Sequence, residues 1–502
     1  MKNDRKPTIC IIGGGVAGLA AGIYAQKNGF DSVIYEQHTV AGGQCTSWHR
    51  KGYLIDNCVH WLTGTNPEKD IYKVWCDVGV LGPNIEIIQP TSFMQVEMNE
   101  QTLNLWQDVE RLRTDLLALS PEDAPATEEF IQVLKTYGDV MFVALKPSEQ
   151  LNLCDIWRLL RQMRKLAAVH KKYSKLSIPE YAGRFRHPLI RKFLTAYMPK
   201  SYNAASMFYV YATFVSGNGA LPRGGSLGMI ERMQHQYEQL GGTVRTRCKA
   251  VKIEVNKRQA TAVRMADNSC IVSDFVICTC DPSVLFNQLL DRSYIDKFFS
   301  EHYTRHDRHP LYSSVNLYYG VEHPIAGMPE SIFFETEPYP IANKQANVIF
   351  MKNFDYEPTF APTGKSLLQV LLMQYEEDFE YWRALYENDL PRYKAEKARL
   401  ATDIMQRIEQ RFPEVAGQME TLEVVTPMSY HRLCGAYKGA YMSFIITPGI
   451  KKMSHSGRLL SVKNLYLAGQ WLQPPRGLPN ALVTGRFAIQ RLCKSIHRKF
   501  VE

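Results

Sequence analysis

Thr8-Ile-Cys-Ile-Ile12-Gly13-Gly14-Gly15-Val16-Ala17-Gly18, followed by small residues through Gln26 and then Ser32-Val-Ile-Tyr35-Glu36, decides the fold. The first apolar run reads as a buried strand, the small-residue run as a helix, and Ser32–Tyr35 as a second strand. The glycines differ in purpose. Gly13 permits the tight turn, Gly15 lets backbone approach a pyrophosphate, and Gly18 allows close helix–strand packing. The helix N-terminus then offers free N–H groups and the positive end of its dipole to phosphates. Glu36 lies 21 residues after Gly15, where an acid accepts hydrogen bonds from a ribose. With all these parts in register the segment is a dinucleotide-binding βαβ unit. Its expected cofactor contacts are Gly13, Gly15, Val16, Ala17, Gly18, Glu36 and Gln37. By itself the unit does not choose between NAD and FAD.

Working outward, the chain has 502 residues, enough for two or three domains or for one domain with large insertions. Its apolar fraction of 45% and charged fraction of 22% fit neither a disordered chain nor a membrane-spanning bundle. The N-terminus imitates a signal peptide, but the glycine spacing explains its uncharged stretch better. No segment approaches the roughly 20 apolar residues of a transmembrane helix. Eleven cysteines, none in a CxxC pair, suggest neither a zinc site nor a disulfide framework. No metal is expected, and a reducing cytoplasm is the default compartment.

The net charge of +9 is local. Residues 151–200 hold twelve Lys or Arg against two acids, a charge of +10 that leaves the rest of the chain at −1. Read as a helix, 156–172 places Ile156, Leu159, Leu160, Met163, Leu166 and Ala167 in one arc. Arg158, Arg161, Lys165 and Lys172 lie opposite, with Trp157 near the boundary. Two readings stand: a helix resting on an anionic membrane surface, or a surface helix packed on the core with a solvated basic face. Nucleic acid is not expected as a partner, because no nucleic-acid module motif occurs.

After Glu36 come Ala41-Gly42-Gly43-Gln44-Cys45-Thr46, Gly52-Tyr53-Leu54-Ile55-Asp56 and Val59-His60-Trp61-Leu62-Thr63-Gly64. Further on stand Pro121-Glu122-Asp123, Leu221-Pro222-Arg223-Gly224-Gly225-Ser226, Gly241-Gly242-Thr243-Val244 with Asp274-Phe275-Val276-Ile277, and Thr426-Pro427 through Ala440-Tyr441. The chain closes with Asn464-Leu465-Tyr466-Leu467-Ala468-Gly469-Gln470, Gly477-Leu478-Pro479-Asn480-Ala481 and Gly485-Arg486. Together these segments resemble the phytoene desaturase, carotenoid isomerase and retinol saturase family of FAD enzymes along almost the whole chain. The resemblance implies FAD as cofactor. It implies an α/β fold: a discontinuous Rossmann-type FAD-binding domain with an inserted mixed-sheet and helical substrate domain, in an amine-oxidase-like architecture. The FAD domain is expected from 1–90, 221–290 and 455–502, and the substrate domain from 91–220 and 291–454.

The resemblance also adds Gly42, Gly43, Gln44, Val251, Gly469, Gln470, Leu478, Pro479 and Ala481 as cofactor contacts, with adenine near the backbone at Val251. Trp471 and Arg476 are further flavin-contact candidates. Two positions depart from the pattern. Gln44 stands where the family commonly has Arg, and Gln470 where it commonly has Asp or Glu, so each loses a charge while keeping hydrogen-bonding capacity.

The implied activity is desaturation, saturation or cis/trans isomerisation of carbon–carbon double bonds in a long apolar lipid, a carotenoid, retinoid or other polyene. His60 is the candidate catalytic residue, either exchanging a proton with the substrate or fixing the loop as a buried histidine. The run 206–215 either lines a pocket for the chain or belongs to the ordinary core. With one GxGxxG motif, electrons would pass to or from an external donor or acceptor. The expected location is cytoplasmic, with peripheral contact on the membrane's cytoplasmic face through 156–172. Alternatives are a flavin-dependent fatty-acid double-bond isomerase or hydratase without net redox, and a non-enzymatic prenyl- or lipid-binding protein like the Rab GDP-dissociation inhibitors. An amine oxidase resembles the chain in the first motif only. The acidic stretch 376–380 reads as a solvated helix face.

Overall fold

The computed structural model describes residues 5–140, 144–474 and 476–502. The opening motif forms strand β1 (Thr8–Ile12), helix α1 (Val16–Lys27) and strand β2 (Asp31–Tyr35). Later segments add β3 (Thr243–Arg245), β4 (Phe275–Cys278) and β5 (Leu465–Leu467), in a parallel sheet of order β3-β2-β1-β4-β5. Parallel strands covered on both faces need continuous apolar runs, which is why Ile9–Ile12 and Val276–Cys278 are buried without alternation. Asp274 sets the register, since its carboxylate accepts the Thr8 N–H at 2.7 Å and pairs with Arg5.

Helix α1 is buried from Val16 to Ala25 because small residues let its neighbours approach. A Cβ on Gly18 would lie 2.0 Å from the Gly13 carbonyl oxygen. One on Gly485, in helix α2 (Gly477–Ser495), would lie 2.5 Å from that of Ala17. The two helices that begin at the cofactor cradle are thus packed backbone to backbone.

A second sheet has seven strands in the order 419–425, 312–321, 366–375, 344–353, 331–341, 92–98 and 101–106. It is antiparallel except where 331–341 meets 92–98. One face carries a core around Trp382 and Ile404. The other packs against helices around Phe193, Phe208 and Tyr211. The run 206–215 lies in the helix Ala204–Val215, and both readings of it hold in part. Phe208, Tyr211 and Phe214 are core, whereas Ser206, Tyr209, Val210 and Thr213 line a cavity.

The acidic stretch is a solvated face only in part: Glu377 is exposed, but two of its neighbours are held by distant elements. Within the helix Glu376–Asn388, Asp378 is buried, caps the helix through the Tyr375 N–H at 2.7 Å and pairs with Lys344. Glu376 accepts a hydrogen bond from His306 at 2.7 Å and pairs with Lys438. The cations that neutralise these acids come from distant strands and loops.

The basic helix spans Leu153–Tyr173, opened by a capping box between Asn152 and Asp155. Its apolar arc is divided. Leu159, Met163 and Leu166 are half-buried, whereas Leu153, Trp157 and Leu160 are 85%, 64% and 64% exposed. The N-terminal half of the helix is therefore not packed on the core. Among the described residues no helix is long and apolar enough to cross a membrane.

Candidate active site

One cavity of about 1600 Å³ joins the parallel sheet to the seven-stranded sheet. Its floor is the glycine-rich turn. Gly13 has φ +101°, and the Gly14 N–H donates to Glu36 Oε2 at 2.7 Å. The other Glu36 oxygen accepts the His38 N–H at 2.9 Å, which fixes a buried carboxylate at the end of β2. Each oxygen retains acceptor capacity for a ribose hydroxyl. The second glycine pair lies directly over the first: Gly42 N–H donates to the Gly14 carbonyl at 2.9 Å, and Gly15 and Gly42 form a β-bridge. A Cβ on Gly42 would fall 2.5 Å from the Cys45 carbonyl oxygen.

Both buried helices begin at this cavity without a side-chain cap and without an acid in the first turn. Their orphan N–H groups are suited to a phosphate and to an electron-rich ring edge. Gly13, Gly15, Val16, Ala17, Glu36, Gln37, Gly42, Gly43, Gln44, Gly469, Gln470, Leu478, Pro479 and Ala481 all line the cavity, as do Trp471 and Arg476. Gly18 does not line it and serves packing instead. Val251 does not line it either. Its side chain is exposed, and the wall is formed just before it by Cys248, Lys249 and Ala250, as the chain enters the strand Ala250–Asn256. The donor set fits a dinucleotide flavin: uncapped helix ends, backbone that any Cβ would obstruct, and a buried acid.

Gln44 and Gln470 meet in the cavity wall. Gln470 Nε2 donates to Gln44 Oε1 at 2.9 Å, and Gln44 Nε2 donates to the Ala440 carbonyl at 3.2 Å. Beyond them stands a polar group of Asn57, Asn316 and Tyr430, in which Asn316 Nδ2 donates to the Tyr430 hydroxyl at 2.6 Å. Farther out the walls turn apolar and aromatic, with Tyr197, Leu371, Met373 and a stacked Phe333–Phe350 pair 4.3 Å apart. Met163, Leu166 and His170 of the basic helix also line the cavity.

His60 also lines the cavity. Burial, aided by Lys352, pulls its pKa down to about 3, so it stands as neutral imidazole at neutral pH. Lys352, which sequence reasoning missed, lies buried behind it and donates to the His60 carbonyl at 2.9 Å. Burial pulls that lysine down to about 8, against the opposing effect of Asp56 and Glu330. A lysine within the buried strand run Ile349–Asn353 was its only signal. Asp56 is structural: it accepts from Ser226 N–H at 2.7 Å and Ser226 Oγ at 2.6 Å, tying the Gly52–Asp56 segment to the helix Gly225–Gln239.

This cradle, continuous with an apolar chamber, defines a flavin-dependent oxidoreductase. Residues 143–493, more than two thirds of the chain, match the flavin containing amine oxidoreductase family, and residues 11–78 match the NAD(P)-binding Rossmann-like domain. The chain belongs to the flavin containing amine oxidoreductase family, and its cofactor is FAD. The expectation that likeness to amine oxidases stops at the first motif is thereby corrected: it extends through the substrate-side segments, at an identity too low to read by eye.

Among curated proteins, a phytoene desaturase (lycopene-forming) from Paracoccus sp. (strain N81106 / MBIC 01143) is 21% identical, covering 96% of each chain. The chloroplastic prolycopene isomerase of Arabidopsis thaliana is 21% identical, covering 97% of this chain and 82% of its own. The all-trans-retinol 13,14-reductase of Danio rerio is 20% identical, covering 92% and 82%. Of solved structures, an oxidoreductase from Methanosarcina mazei aligns with a TM-score of 0.60 at 13% identity, covering 96% of this chain and all of that one. Cyclohexylamine oxidase from Brevibacterium oxydans IH-35A aligns at 0.57 and 11%, covering 98% and 100%. These structures share the fold.

Proposed function

We propose that the protein desaturates, saturates or isomerises carbon–carbon double bonds of a long apolar lipid, a carotenoid, retinoid or other polyene. The observation that carries this reading is the continuity of the cofactor cradle with a long aromatic and aliphatic chamber. Near-full-length similarity to a desaturase, an isomerase and a retinol reductase supports it.

When bound, FAD supplies the hydride chemistry. The glycine turns and helix ends hold the dinucleotide, and Gln44 with Gln470 positions its neighbours without adding charge. The stacked Phe333–Phe350 pair and Tyr197 orient the chain and exclude water. Asn57, Asn316 and Tyr430 form the polar group closest in character to a proton-handling site. His60, neutral at physiological pH, contributes an imidazole rather than an imidazolium to the wall. Electrons pass to or from an external partner.

The exposed Leu153, Trp157 and Leu160, flanked by Arg158, Arg161 and Lys165, form a docking face for an anionic bilayer at the cytoplasmic side. The inner face of that helix lines the cavity, so lipid would pass from bilayer to chamber along it. The test of the function is anaerobic incubation of a polyene lipid with the protein carrying oxidised FAD and, separately, with the protein carrying dithionite-reduced FAD, since saturation consumes two electrons that only reduced flavin can give. Bleaching of the flavin or a changed lipid supports the reading, and inertness toward lipids overturns it.

A further inference from the structure

Three lysines stand where the wall of the cavity reaches solvent. Lys200, Lys451 and Lys452 line the cavity and are exposed, and among the described residues none of them has an ion pair or a side-chain hydrogen bond. Their segments are joined by backbone. The Asn203 N–H donates to the Ile446 carbonyl at 2.9 Å, and the Gly449 N–H donates to the Ser174 carbonyl at 2.9 Å, one residue past the basic helix. Lys452 has φ +57°, so the chain turns at the lysine pair. Two other lysines of the wall show what the fold supplies elsewhere: Lys192 pairs with Glu335 at 2.8 Å, and Lys344 with Asp378.

No acid of the wall is free to pair with the three. The acids that line the cavity are Glu36 and Asp281, just beyond the ends of β2 and β4. Glu36 is held by the Gly14 and His38 N–H groups, and Asp281 accepts the Tyr437 N–H at 2.9 Å and the Tyr303 hydroxyl at 2.8 Å. From the lysines a row of tyrosines leads inward. Tyr202 lies two residues from Lys200, in a turn closed by its own N–H on the Pro199 carbonyl at 3.0 Å. Its ring stands 5.9 Å from Tyr312, which stands 5.2 Å from Tyr441, which stands 6.1 Å from Tyr430 of the polar group. All four tyrosines line the cavity.

An exposed cationic mouth is thus joined by an aromatic path to the polar group beside the cofactor cradle. We propose that the lipid taken by this enzyme is an amphiphile with an anionic head: Lys200, Lys451 and Lys452 hold the head at the mouth, and the chain runs inward along the tyrosines, so that the reacting double bond lies far from the head. Lysine ammonium groups are compact, strongly hydrated charges, suited to a head that keeps part of its water. The inference rests on the long-chain reading of the chamber and narrows it.

The test is equilibrium dialysis of the FAD-loaded protein, without a bilayer and below micelle-forming concentrations, against linoleate and, separately, linoleyl alcohol. Exposed ion pairs are individually weak, so three together should give wild type about a tenfold preference for the acid at low salt. High salt should remove most of that margin, because exposed charges are screened. The triple variant Lys200→Gln, Lys451→Gln, Lys452→Gln should bind the two probes alike, with alcohol binding and FAD content unchanged. The corresponding triple arginine variant should keep the preference. Cosedimentation with phosphatidylserine vesicles separates a substrate's head from that of a bilayer lipid. A glutamine variant that loses vesicle binding but still prefers linoleate in dialysis overturns the proposal, since the lysines then dock the membrane. A preference that high salt leaves unchanged also overturns it, because the head is then held by a buried group. Equal binding of acid and alcohol by wild type overturns it while leaving the long-chain reading intact. Binding of neither probe overturns the long-chain reading and this proposal with it.

Discussion

Gln470 Nε2 donates to Gln44 Oε1 at 2.9 Å, so the two positions that depart from the related enzymes' pattern are partners. The pair is neutral: both members are amides, so they hold each other without adding charge to the cradle. The prediction is coupling. Gln44→Ala and Gln470→Ala should each weaken FAD binding, and the double variant should cost less than the two added together. The coupling should be about 0.5–1.5 kcal/mol, that of one buried hydrogen bond, read from FAD titrations of all four proteins. Strict additivity would show that the residues act independently.

Gly18→Ala places a methyl 2.0 Å from the Gly13 carbonyl oxygen, which backbone cannot relieve without moving the turn. Purified variant is expected to contain less than about a tenth of the wild-type flavin, at a folding cost of about 1–3 kcal/mol from overpacking. The ratio of flavin to protein absorbance and a melting curve measure both.

His60 makes stability depend on pH. Its folded pKa lies near 3, below the ordinary value of about 6.5, so between these values the unfolded chain binds more protons. Stability therefore rises with pH through that window and falls on acidification below about 6.5. His302, held down to about 4, chiefly by burial, adds to the slope. His60→Gln should flatten the slope of unfolding free energy between pH 5 and 6 by about 1 kcal/mol per pH unit. An unchanged slope would show that His60 is already protonated in the folded protein.

The legible parts of this protein were the local ones. Gly13, Gly15 and Gly18 announce a cradle because their constraints are satisfied within one turn of chain. The pairing of Gln44 with Gln470 spans 426 positions and has no local signature. Lys352 was hidden by its strand, and the buried Asp378 by its acidic neighbours, because each is neutralised or held by a distant element. Arg476 was visible as a residue, but only tertiary structure shows that its Nε and Nη2 are buried without a hydrogen-bond partner among the described residues. The basic stretch 151–200 was evident from counting, whereas the exposure of Trp157 and Leu160 depends on what the core leaves uncovered.

Charge reversal at Arg158, Arg161 and Lys165 should abolish binding to vesicles containing phosphatidylserine. Each basic residue near such a surface contributes about 1 kcal/mol, so losing three attractions lowers the partition coefficient by about a hundredfold or more. Trp157→Ala should weaken binding to a lesser degree, through lost apolar burial. Cosedimentation that is unaffected by the reversal would leave this helix with a role at the cavity mouth alone.

The most direct test of the central claim is an anaerobic reaction of the FAD-loaded protein, oxidised and dithionite-reduced in separate runs, with a mixed lipid extract, followed by flavin absorbance and mass spectrometry of the lipids. The account predicts that an unsaturated long-chain species changes: by two hydrogens with flavin bleaching or reoxidation, or at constant mass with a shifted double bond. Flavin bleached by a primary amine, with every lipid unchanged, would contradict it.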